Sequence, residues 1–309
     1  MWDNKTFKRR FLQAQEAKNQ EMLHTLRISV FRDTVATVEA EQYINGHGQT
    51  VLLPRDKQLI EKSVLYFKEL PNTTNPSFLS RVEVLKDDCL AVARQAGENP
   101  LVLNMANAFH PGGGVETGSG AQEEHLFRSS NYFLSLYQYS PTLHKTYKLP
   151  KAKQSYPLDP AFGAVYSPLV TVFRGKEEDG YPLLDTPFKA SFMAVPAING
   201  PELSKNAEGI YVMSEKDRAL TKQKMRTMFT IAKIHAHDTL VLSAFGCGAF
   251  CNPPTQIAQL FHQVLLEAPF KTAFKRIIFA IKDDHNTCKW YNPTGNYLPF
   301  AQEFKDEKL

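Results

Sequence analysis

The hydrophobic and polar positions of the chain follow two periods, one typical of helices and one typical of buried strands. Residues 257–267 carry apolar side chains three and four positions apart, as one face of a helix requires. Residues 238–243 and 276–281 are short and largely apolar, which is typical of strands covered on both faces. Strands of this kind that alternate with amphipathic helices predict an α/β fold, with a sheet between two helical layers.

The same pattern predicts elements over most of the chain. The predicted helices lie within residues 1–43 and at 55–70, 89–95, 121–137, 216–235 and 257–267. The predicted strands are residues 49–53, 81–85, 100–104, 169–173, 192–195, 238–243 and 276–281. The segment 140–165 contains several prolines and lysines and is predicted to be irregular.

A polar break at Asn72–Pro76 interrupts the helical pattern and indicates a domain boundary near residue 76. We therefore expect an N-terminal helical accessory segment at residues 1–76 and a main domain at residues 77–309. The first segment is short, so we expect it to pack on the rest of the chain rather than to fold alone.

Composition and charge exclude several classes of protein. Hydrophobic residues make up 43% and charged residues 22% of the 309 residues, which argues against a disordered chain. The net charge of +4 is mild and evenly spread, so we expect no direct binding to duplex nucleic acid, although an anionic ligand would suit it. No apolar run reaches the ~18 residues of a membrane span.

The cysteines and the N-terminus favour a cytoplasmic protein without metal. The four cysteines include no C-x-x-C pair, and Cys247 and Cys251 lack a second pair of ligands, so neither a metal nor a disulfide framework is expected. Free thiols fit a reducing compartment. The first residues lack the basic and then apolar layout of a signal peptide.

A triple glycine lies between the predicted strand at 100–104 and the predicted helix at 121–137. Residues 104–124 read NMANAFHPGGGVETGSGAQEE. Glycines without a Cβ let the backbone approach a ligand closely, and the start of the following helix favours a phosphate. A second glycine loop, AFGCGAFCNPP at residues 244–254, follows another predicted strand. Together the two loops predict a site that holds a pyrophosphate between backbone N–H groups.

Neither loop matches the common nucleotide-binding motifs. Gly-Lys-Ser/Thr and G-x-G-x-x-G are both absent, so the loops predict neither a P-loop nor a dinucleotide fold.

The adjacent acids Glu123 and Glu124 begin the helix after the first loop. Neighbouring helix residues point about 100° apart, so the two cannot flank one bond as in the two-carboxylate glycosidases. If one of them is catalytic, the other has a different role, such as binding a hydroxyl group. The preference of helix starts for acidic residues explains the pair equally well.

The triple glycine, seven residues and then Gln122-Glu123-Glu124 resemble the signature of the poly(ADP-ribose) glycohydrolase branch of macrodomain proteins. Further segments are similar to the microbial type of this family: Asp88-Cys89-Leu90, Asn104–Asn107 and Gly246–Asn252. The resemblance covers about residues 80–300. It implies a three-layer α/β/α macrodomain-like fold with a mixed sheet and an N-terminal helical extension, and it implies hydrolysis of an ADP-ribosyl bond without a cofactor.

The resemblance also implies roles for individual residues. Glu124 would be the catalytic acid, and Glu123 would hold ribose hydroxyls. Asp88 would accept from the adenine amino group, Phe300 would stack on adenine, and Asn107 would contact the distal ribose. The residues expected to bind the ligand are Asp88, Asn104, Asn107, Gly112, Gly113, Gly114, Val115, Gln122, Gly246, Cys247, Gly248, Ala249, Phe250 and Phe300.

Three functions remain open from the sequence. The leading one is release of ADP-ribose from poly(ADP-ribose) or from an ADP-ribosylated protein. The second is removal of single ADP-ribose units from a protein side chain such as arginine, including the case of a pathogen protein that is secreted into a host cytosol and acts on a host protein. The third is a non-catalytic ADP-ribose reader, which would not need the acidic pair. The expected partners are therefore ADP-ribose, its polymer or an ADP-ribosylated protein, and no membrane.

Overall fold

The computed structural model describes residues 2–71, 77–284 and 286–305, and the chain divides into two compact units that interleave along the sequence. Unit 1 consists of Met1–Leu65, Ala106–Pro157 and Ser167–Phe192. Unit 2 consists of Tyr66–Met105, Leu158–Tyr166 and Met193–Leu309. The break at residues 72–76 lies outside the described residues, so a domain boundary at that position stays a prediction.

Helices make up much of both units. They are α1 (Asn4–Glu16), α2 (Gln20–Glu39), α3 (Lys57–Lys62), α4 (Cys89–Gln95), α5 (Gln122–Ser129), α6 (Phe133–Leu136), α7 (Leu143–Thr146), α8 (Glu215–Ile234), α9 (Pro254–Leu265) and α10 (Tyr297–Glu303). The side chains of Asp3, Asn19 and Ser214 accept from first-turn N–H groups and so fix the starts of α1, α2 and α8. In the described part of the chain, no helix combines the length and the apolar character needed to cross a membrane.

The strands build one large sheet and two small hairpins. They are β1 (Gln42–Ile44), β2 (Thr50–Leu52), β3 (Val64–Tyr66), β4 (Arg81–Leu85), β5 (Leu101–Met105), β6 (Ala164–Arg174), β7 (Leu183–Val195), β8 (Leu203–Lys205), β9 (Tyr211–Met213), β10 (Thr239–Leu242) and β11 (Arg276–Ala280). Strands β1 and β2 pair antiparallel, as do β8 and β9.

All seven strands of the large sheet contribute residues to unit 2, in the order β3-β6-β7-β5-β10-β11-β4. Strands β5, β10, β11 and β4 are parallel, and one row across them joins Leu101, Leu240, Ile277 and Val82. A turn closed by the bond from Gly175 N–H to Pro182 O joins β6 to β7, so the sheet is mixed. Because parallel strands end at one edge, the segments that follow β4 and β10 leave from the same edge of unit 2.

The sheet has a helical layer on each face, which confirms the predicted α/β/α architecture. In β10, Leu240 and Leu242 join the apolar cluster that contains Phe229 of α8 and Phe261 of α9. The alternation of a strand turns Val241 to the opposite face, where α4 contacts β10 and β5. Burial on both faces explains why these strands are largely apolar.

The N-terminal extension is helical, as predicted, and has its own small core. Helices α1 and α2 bury one apolar stripe each, including Phe7, Phe11, Leu26 and Val30, against Tyr181. Because Tyr181 follows β6 in the sequence, the extension packs on a distant part of unit 1 rather than folding alone.

Several elements differ from the prediction, among them β6 and β7, which are longer than the strands predicted at 169–173 and 192–195. The helix predicted at 55–70 ends at Lys62, and β3 follows it. The helix predicted at 121–137 breaks at Ser130, which is extended and bridges to Val172. The β8–β9 hairpin has only three residues per strand, too few for a clear alternating pattern.

Candidate active site

The triple-glycine segment lies in unit 1 and begins with a polar turn after β5. Oδ1 of Asn107 accepts hydrogen bonds from the N–H groups of Phe109 at 2.8 Å and His110 at 3.0 Å. An asparagine side chain that accepts hydrogen bonds from the backbone N–H groups two and three residues ahead stabilises a turn outside any helix or strand. The side chain of Asn107 therefore shapes the loop, whereas its expected contact with the distal ribose stays a prediction.

The carboxylate of Glu123 joins the two ends of this turn. Oε2 accepts from the N–H of Asn107 at 2.7 Å, and Oε1 accepts from the N–H of Gly112 at 3.1 Å. Glu123 is only 3% exposed, so these charge-assisted bonds form away from water, where they are strong. Glu123 thus holds the loop in shape, and its expected role toward ribose hydroxyls stays a prediction.

The carboxylate of Glu124 is fixed on one side only. Oε1 accepts from the N–H of Gly114 at 2.8 Å. Oε2 is buried and has no hydrogen-bond partner among the described residues. A buried polar atom without a partner costs about 1–3 kcal/mol, so in a native protein it calls for a functional explanation. An oxygen left to bond a ligand would be such an explanation.

The backbone at Gly113 passes so close to both carboxylates that no side chain fits there. Its φ is +57°, in the left-handed region that favours glycine. A Cβ at this position would collide with Oε1 of Glu124 and would lie 3.1 Å from Oε2 of Glu123. Glycine at position 113 is therefore required by the approach of the loop to the acidic pair.

The amides of the triple glycine are occupied within the loop. The N–H of Gly113 donates to the carbonyl of His110 at 3.0 Å, and those of Gly112 and Gly114 donate to Glu123 and Glu124. This differs from the expected cradle of free N–H groups around a diphosphate. The N–H groups of the three glycines are therefore not free to bind a diphosphate.

A buried polar network supports the helix that carries the glutamates. Arg128 of α5 donates from Nε to the hydroxyl of Tyr181 and from Nη1 to the carbonyl of Ser119, each at 2.8 Å. The Tyr181 hydroxyl donates to Oε1 of Glu177 at 3.1 Å. Arg27 of α2 forms a two-pronged pair with the same Glu177, at 2.9 and 3.1 Å. The network ties α2 to the residues just before α5.

The charges in this network stabilise one another. Burial alone would lower the pKa of Arg27, but the hydrogen bonds and charge of Glu177 outweigh it and raise that pKa, with smaller contributions from Tyr181 and Glu124. Burial alone would raise the pKa of Glu177, but the hydrogen bonds of Arg27 and the charge of Arg128 lower it. Both groups are therefore held in their charged forms. Sequence reasoning missed them because the pair spans 150 positions.

The second glycine loop lies in unit 2, between β10 and α9, and is held by side chains from two directions. Nδ2 of Asn252 donates to the carbonyls of Ile198, Gly246 and Phe250 at 2.8, 3.0 and 3.1 Å. From the segment after β11, the hydroxyl of Tyr291 donates to the carbonyl of Gly248 at 2.7 Å. Gly246 has a φ of +75°, and a Cβ there would meet Asn252 and Ala197. Glycine is therefore required at this position as well.

Three successive amides of this loop are available to a ligand. Among residues 2–71, 77–284 and 286–305, the N–H groups of Gly248, Ala249 and Phe250 have no acceptor. Gly248 and Phe250 are half-buried, and Ala249 is exposed. Consecutive N–H groups on a glycine-rich turn form a concave anion site. The second loop therefore has the property that was expected of both.

Several expected ligand residues have other partners. Oδ1 of Asp88 caps α4 by accepting from the N–H groups of Leu90 at 2.9 Å and Ala91 at 3.1 Å. Asn104 is buried in β5, and Val115 is buried at the start of a 3-10 turn. Gln122 is the first residue of α5. Cys247 is buried, and this burial raises the pKa of its thiol. These placements leave the predicted contacts of these residues untested.

The structure corrects the role predicted for Phe300. Its side chain is 0% exposed, and its ring centroid lies 5.1 Å from that of Phe279 and 6.4 Å from that of Phe261. A ring enclosed in the core of unit 2 has no face for a base, so the expected stacking on adenine was wrong. Aromatic character near the C-terminus did not distinguish a core residue from a ligand residue.

The segment after β11 contains functional candidates that sequence reasoning did not identify. Tyr291 bonds Gly248, and Asn292 donates from Nδ2 to the carbonyl of Cys247 at 3.3 Å. Polar and aromatic residues in the segment that follows a predicted strand were a usable signal, since sites collect at strand ends. His285 in this segment lies outside the described residues. Within the described part of the chain, no three His, Cys, Asp or Glu side chains come together as a metal site would need.

Comparison with known proteins places the chain near one group of enzymes. A family profile described as the catalytic domain of microbial-type PARG, poly(ADP-ribose) glycohydrolase, matches residues 31–175. The crystal structure of poly(ADP-ribose) glycohydrolase from Thermomonospora curvata is similar with a TM-score of 0.71 and 30% identity. That match covers 90% of this chain and 99% of the other. No curated protein matches the chain.

Ligand-bound structures are similar as well. The Thermomonospora curvata enzyme bound to the inhibitor ADP-HPD matches with a TM-score of 0.68 and 28% identity, over 90% of this chain and 99% of that one. Poly(ADP-ribose) glycohydrolase from Deinococcus radiodurans in complex with ADP-ribose matches with a TM-score of 0.56 and 27% identity, over 75% of this chain and 87% of that one.

Proposed function

The chain belongs to the microbial-type poly(ADP-ribose) glycohydrolase family, and from this premise we propose that it releases ADP-ribose from poly(ADP-ribose), with Glu124 as the general acid and base. The observation that carries the proposal is the buried Oε2 of Glu124, which has no partner among the described residues while Oε1 is held by Gly114. A fixed carboxyl with one oxygen left for the substrate is what proton transfer to a leaving group requires.

The proposed reaction breaks the bond between the anomeric carbon of the distal ribose and the oxygen of the leaving group. Glu124 gives its proton to that oxygen as the C–O bond breaks, and positive charge develops on the ribose. The Glu124 carboxylate then accepts a proton from water, whose oxygen bonds to the anomeric carbon, and the acid is regenerated. The negative charge of the ligand's own diphosphate helps to stabilise this cationic transition state.

The remaining residues divide into positioning and binding roles. Glu123, Asn107 and the triple glycine position Glu124, because each is bonded to the loop or to the acidic pair. We assign diphosphate binding to the amides of Gly248, Ala249 and Phe250. The relatives bound to ADP-ribose and to ADP-HPD support an ADP-ribose ligand for this chain as well.

A comparison of two substrates tests the proposed function. The purified protein is incubated separately with automodified poly(ADP-ribose) and with a protein that carries single arginine-linked ADP-ribose units, and free ADP-ribose is measured. We expect release from the polymer at least about tenfold faster than from the arginine linkage. Release from the arginine linkage alone would replace the polymer with a mono-ADP-ribosylated substrate. Binding of ADP-ribose without release from either would make the protein a reader.

A further inference from the structure

An aromatic pair with one exposed ring lies in unit 2, outside the residues that the proposed reaction uses. Trp290 is 59% exposed, and its ring centroid lies 4.7 Å from that of Tyr211 in β9, at an angle of 71° between the planes. On its other side, Trp290 packs at 5.4 Å against Tyr291. A tryptophan that only anchored the hairpin would bury its ring, whereas most of this indole is open to solvent.

Residues close in sequence to Trp290 and to Tyr211 are hydrogen-bonded to the second glycine loop or to the helix that follows it. On the side of Trp290, the neighbouring Tyr291 donates to the carbonyl of Gly248. On the side of Tyr211, the N–H of Met213 donates to Gln256 of α9 at 2.6 Å, just beyond the loop. The N–H of Gly200, which precedes the hairpin, donates to the carbonyl of Phe250 at 3.0 Å. The pair of Trp290 and Tyr211, called the platform below, is therefore connected through residues close to it in sequence to the loop whose amides are assigned to the diphosphate.

Positive charge accompanies the platform. Nζ of Lys205 in β8 lies 5.2 Å from the centroid of the Tyr211 ring. Lys289 precedes Trp290 and is exposed. An exposed aromatic surface flanked by lysines matches a nucleotide, whose base stacks while its phosphates attract the cations. An apolar peptide would gain nothing from these lysines.

We propose that the exposed indole of Trp290 stacks on the adenine of a second ADP-ribose unit, the neighbour in the polymer of the unit that is being released, and that Tyr211, whose ring meets the indole at 71°, holds the indole in position. This inference rests on the proposed function. The turn at Asp88 is where the adenine of the first unit is expected, so a further base surface connected to the diphosphate loop suits the next repeat of a chain. A single ADP-ribose has one base and leaves the platform empty.

Fluorescence gives a direct test, because Trp290 and Trp2 are the two tryptophans of the protein. Trp2→Phe leaves Trp290 as the reporter, and Glu124→Gln in the same chain prevents turnover. We expect short ADP-ribose oligomers to quench the emission of Trp290 saturably, and free ADP-ribose to bind without quenching it. Quenching by free ADP-ribose at its own binding affinity would overturn the proposal, because Trp290 would then contact the first unit. Absence of quenching by oligomers would overturn it too.

Kinetics with matched variants give the second test. In Trp290→Ala and Tyr211→Ala, we expect KM for polymer to rise about tenfold, with kcat and the Kd for free ADP-ribose unchanged within about twofold. Trp290→Phe keeps a stacking ring and should restore most of the affinity. An equal loss for polymer and for free ADP-ribose would refute the polymer subsite. If the unsubstituted protein releases no ADP-ribose, the proposed function fails, and the fluorescence titration still decides the platform.

Discussion

The backbone N–H of Gly114 and the carboxylate of Glu124 are joined by a hydrogen bond of 2.8 Å between a loop and a helix ten residues apart. The bond fixes one carboxylate oxygen and leaves the other buried without a partner among the described residues. Adjacent to it, Glu123 uses its oxygens to hold Asn107 and Gly112. The two acids are therefore equivalent in sequence but not in structure, and only Glu124 has an oxygen that is free for chemistry.

Glu124→Gln should separate binding from catalysis. The amide oxygen can still accept from Gly114, so the loop keeps its shape, but the side chain can no longer exchange a proton. We expect kcat on poly(ADP-ribose) to fall at least about 1000-fold, within the range of a lost general acid and base. The Kd for ADP-ribose, measured by calorimetry, should change less than about threefold.

Glu116→Gln is the matched control for this substitution. Glu116 lies in the same loop but is exposed, and its Oε1 accepts from the hydroxyl of Tyr147 at 2.7 Å. Its activity should stay within about twofold of the unsubstituted protein, as is usual for a surface substitution away from the reacting atoms. Turnover by Glu124→Gln at the level of this control would remove Glu124 from the mechanism.

Gly113→Ala should displace the acidic pair, because there is no space for a Cβ at this position. The new methyl group would collide with Oε1 of Glu124, in addition to the strain of an L-residue at a φ of +57°. We expect kcat/KM to fall about 100-fold, because small displacements of a catalytic group have costs of this size.

Gly48→Ala controls for backbone strain alone. Gly48 has a φ of +77°, and no atom lies within 4 Å of the position that a Cβ would take there. Both variants should lose about 1–2 kcal/mol of unfolding free energy from the left-handed conformation. Only Gly113→Ala should lose activity, and an equal loss of activity in both would show that strain and not the carboxylate contact is responsible.

The parts of the fold that sequence predicted are those in which local pattern and burial agree. Strand β4 and helix α4 begin and end at the predicted residues, because an apolar strand and an Asp-capped helix are both local signals. The acidic pair could also be identified, since the glycines and the glutamates lie within one short segment.

The parts that sequence did not predict depend on contacts between distant residues. Arg27 and Glu177 lie in segments that look like ordinary solvated surface, and only the fold brings them together. The amides of the first loop were expected to be free, and the backbone bonds of Glu123 and Glu124 could not be read from the motif. Phe300 shows the same limit for aromatic residues, because its burial depends on α10 packing against α9.

The pair of Arg27 and Glu177 should make the free energy of unfolding depend on pH in the acidic range. The pKa of Glu177 is lower in the folded chain than its ordinary value of 4.5. Its contribution to stability is therefore fully present above that value and is lost as pH falls through the folded pKa. Glu177→Gln should flatten the loss of unfolding free energy in this range, as measured by urea denaturation at a series of pH values.

At neutral pH, Glu177→Gln should lower the free energy of unfolding by about 3 kcal/mol, because it leaves the largely buried Arg27, with 11% of its side chain exposed, without its charge partner. Glu267→Gln is the control, since Arg226 and Glu267 form the same two-pronged geometry in a more exposed position. That substitution should cost at most about 1 kcal/mol. Equal costs at the two sites would show that burial does not determine the strength of the Arg27 pair.

Whereas the charge of Glu177 stabilises the folded chain, the buried charge of Lys224 should lower the free energy of unfolding. Lys224 lies on α8 with 4% of its surface exposed, and burial lowers its pKa to about 8 although the charge of Asp159 partly opposes the shift. Between this value and the ordinary 10.5, the unfolded chain binds a proton that the folded chain does not. Unfolding free energy should therefore rise as pH increases through this interval.

Lys224→Met should remove that slope and stabilise the protein near neutral pH by on the order of 2 kcal/mol, because a buried ammonium is replaced by an apolar side chain of similar length. Denaturation of the two proteins at a series of pH values measures both effects. Lys216→Met, at an exposed position of the same helix, should leave the slope unchanged. A loss of stability in Lys224→Met near neutral pH would mean that the ammonium is stabilised by a partner in the folded chain, and the predicted direction would then be wrong.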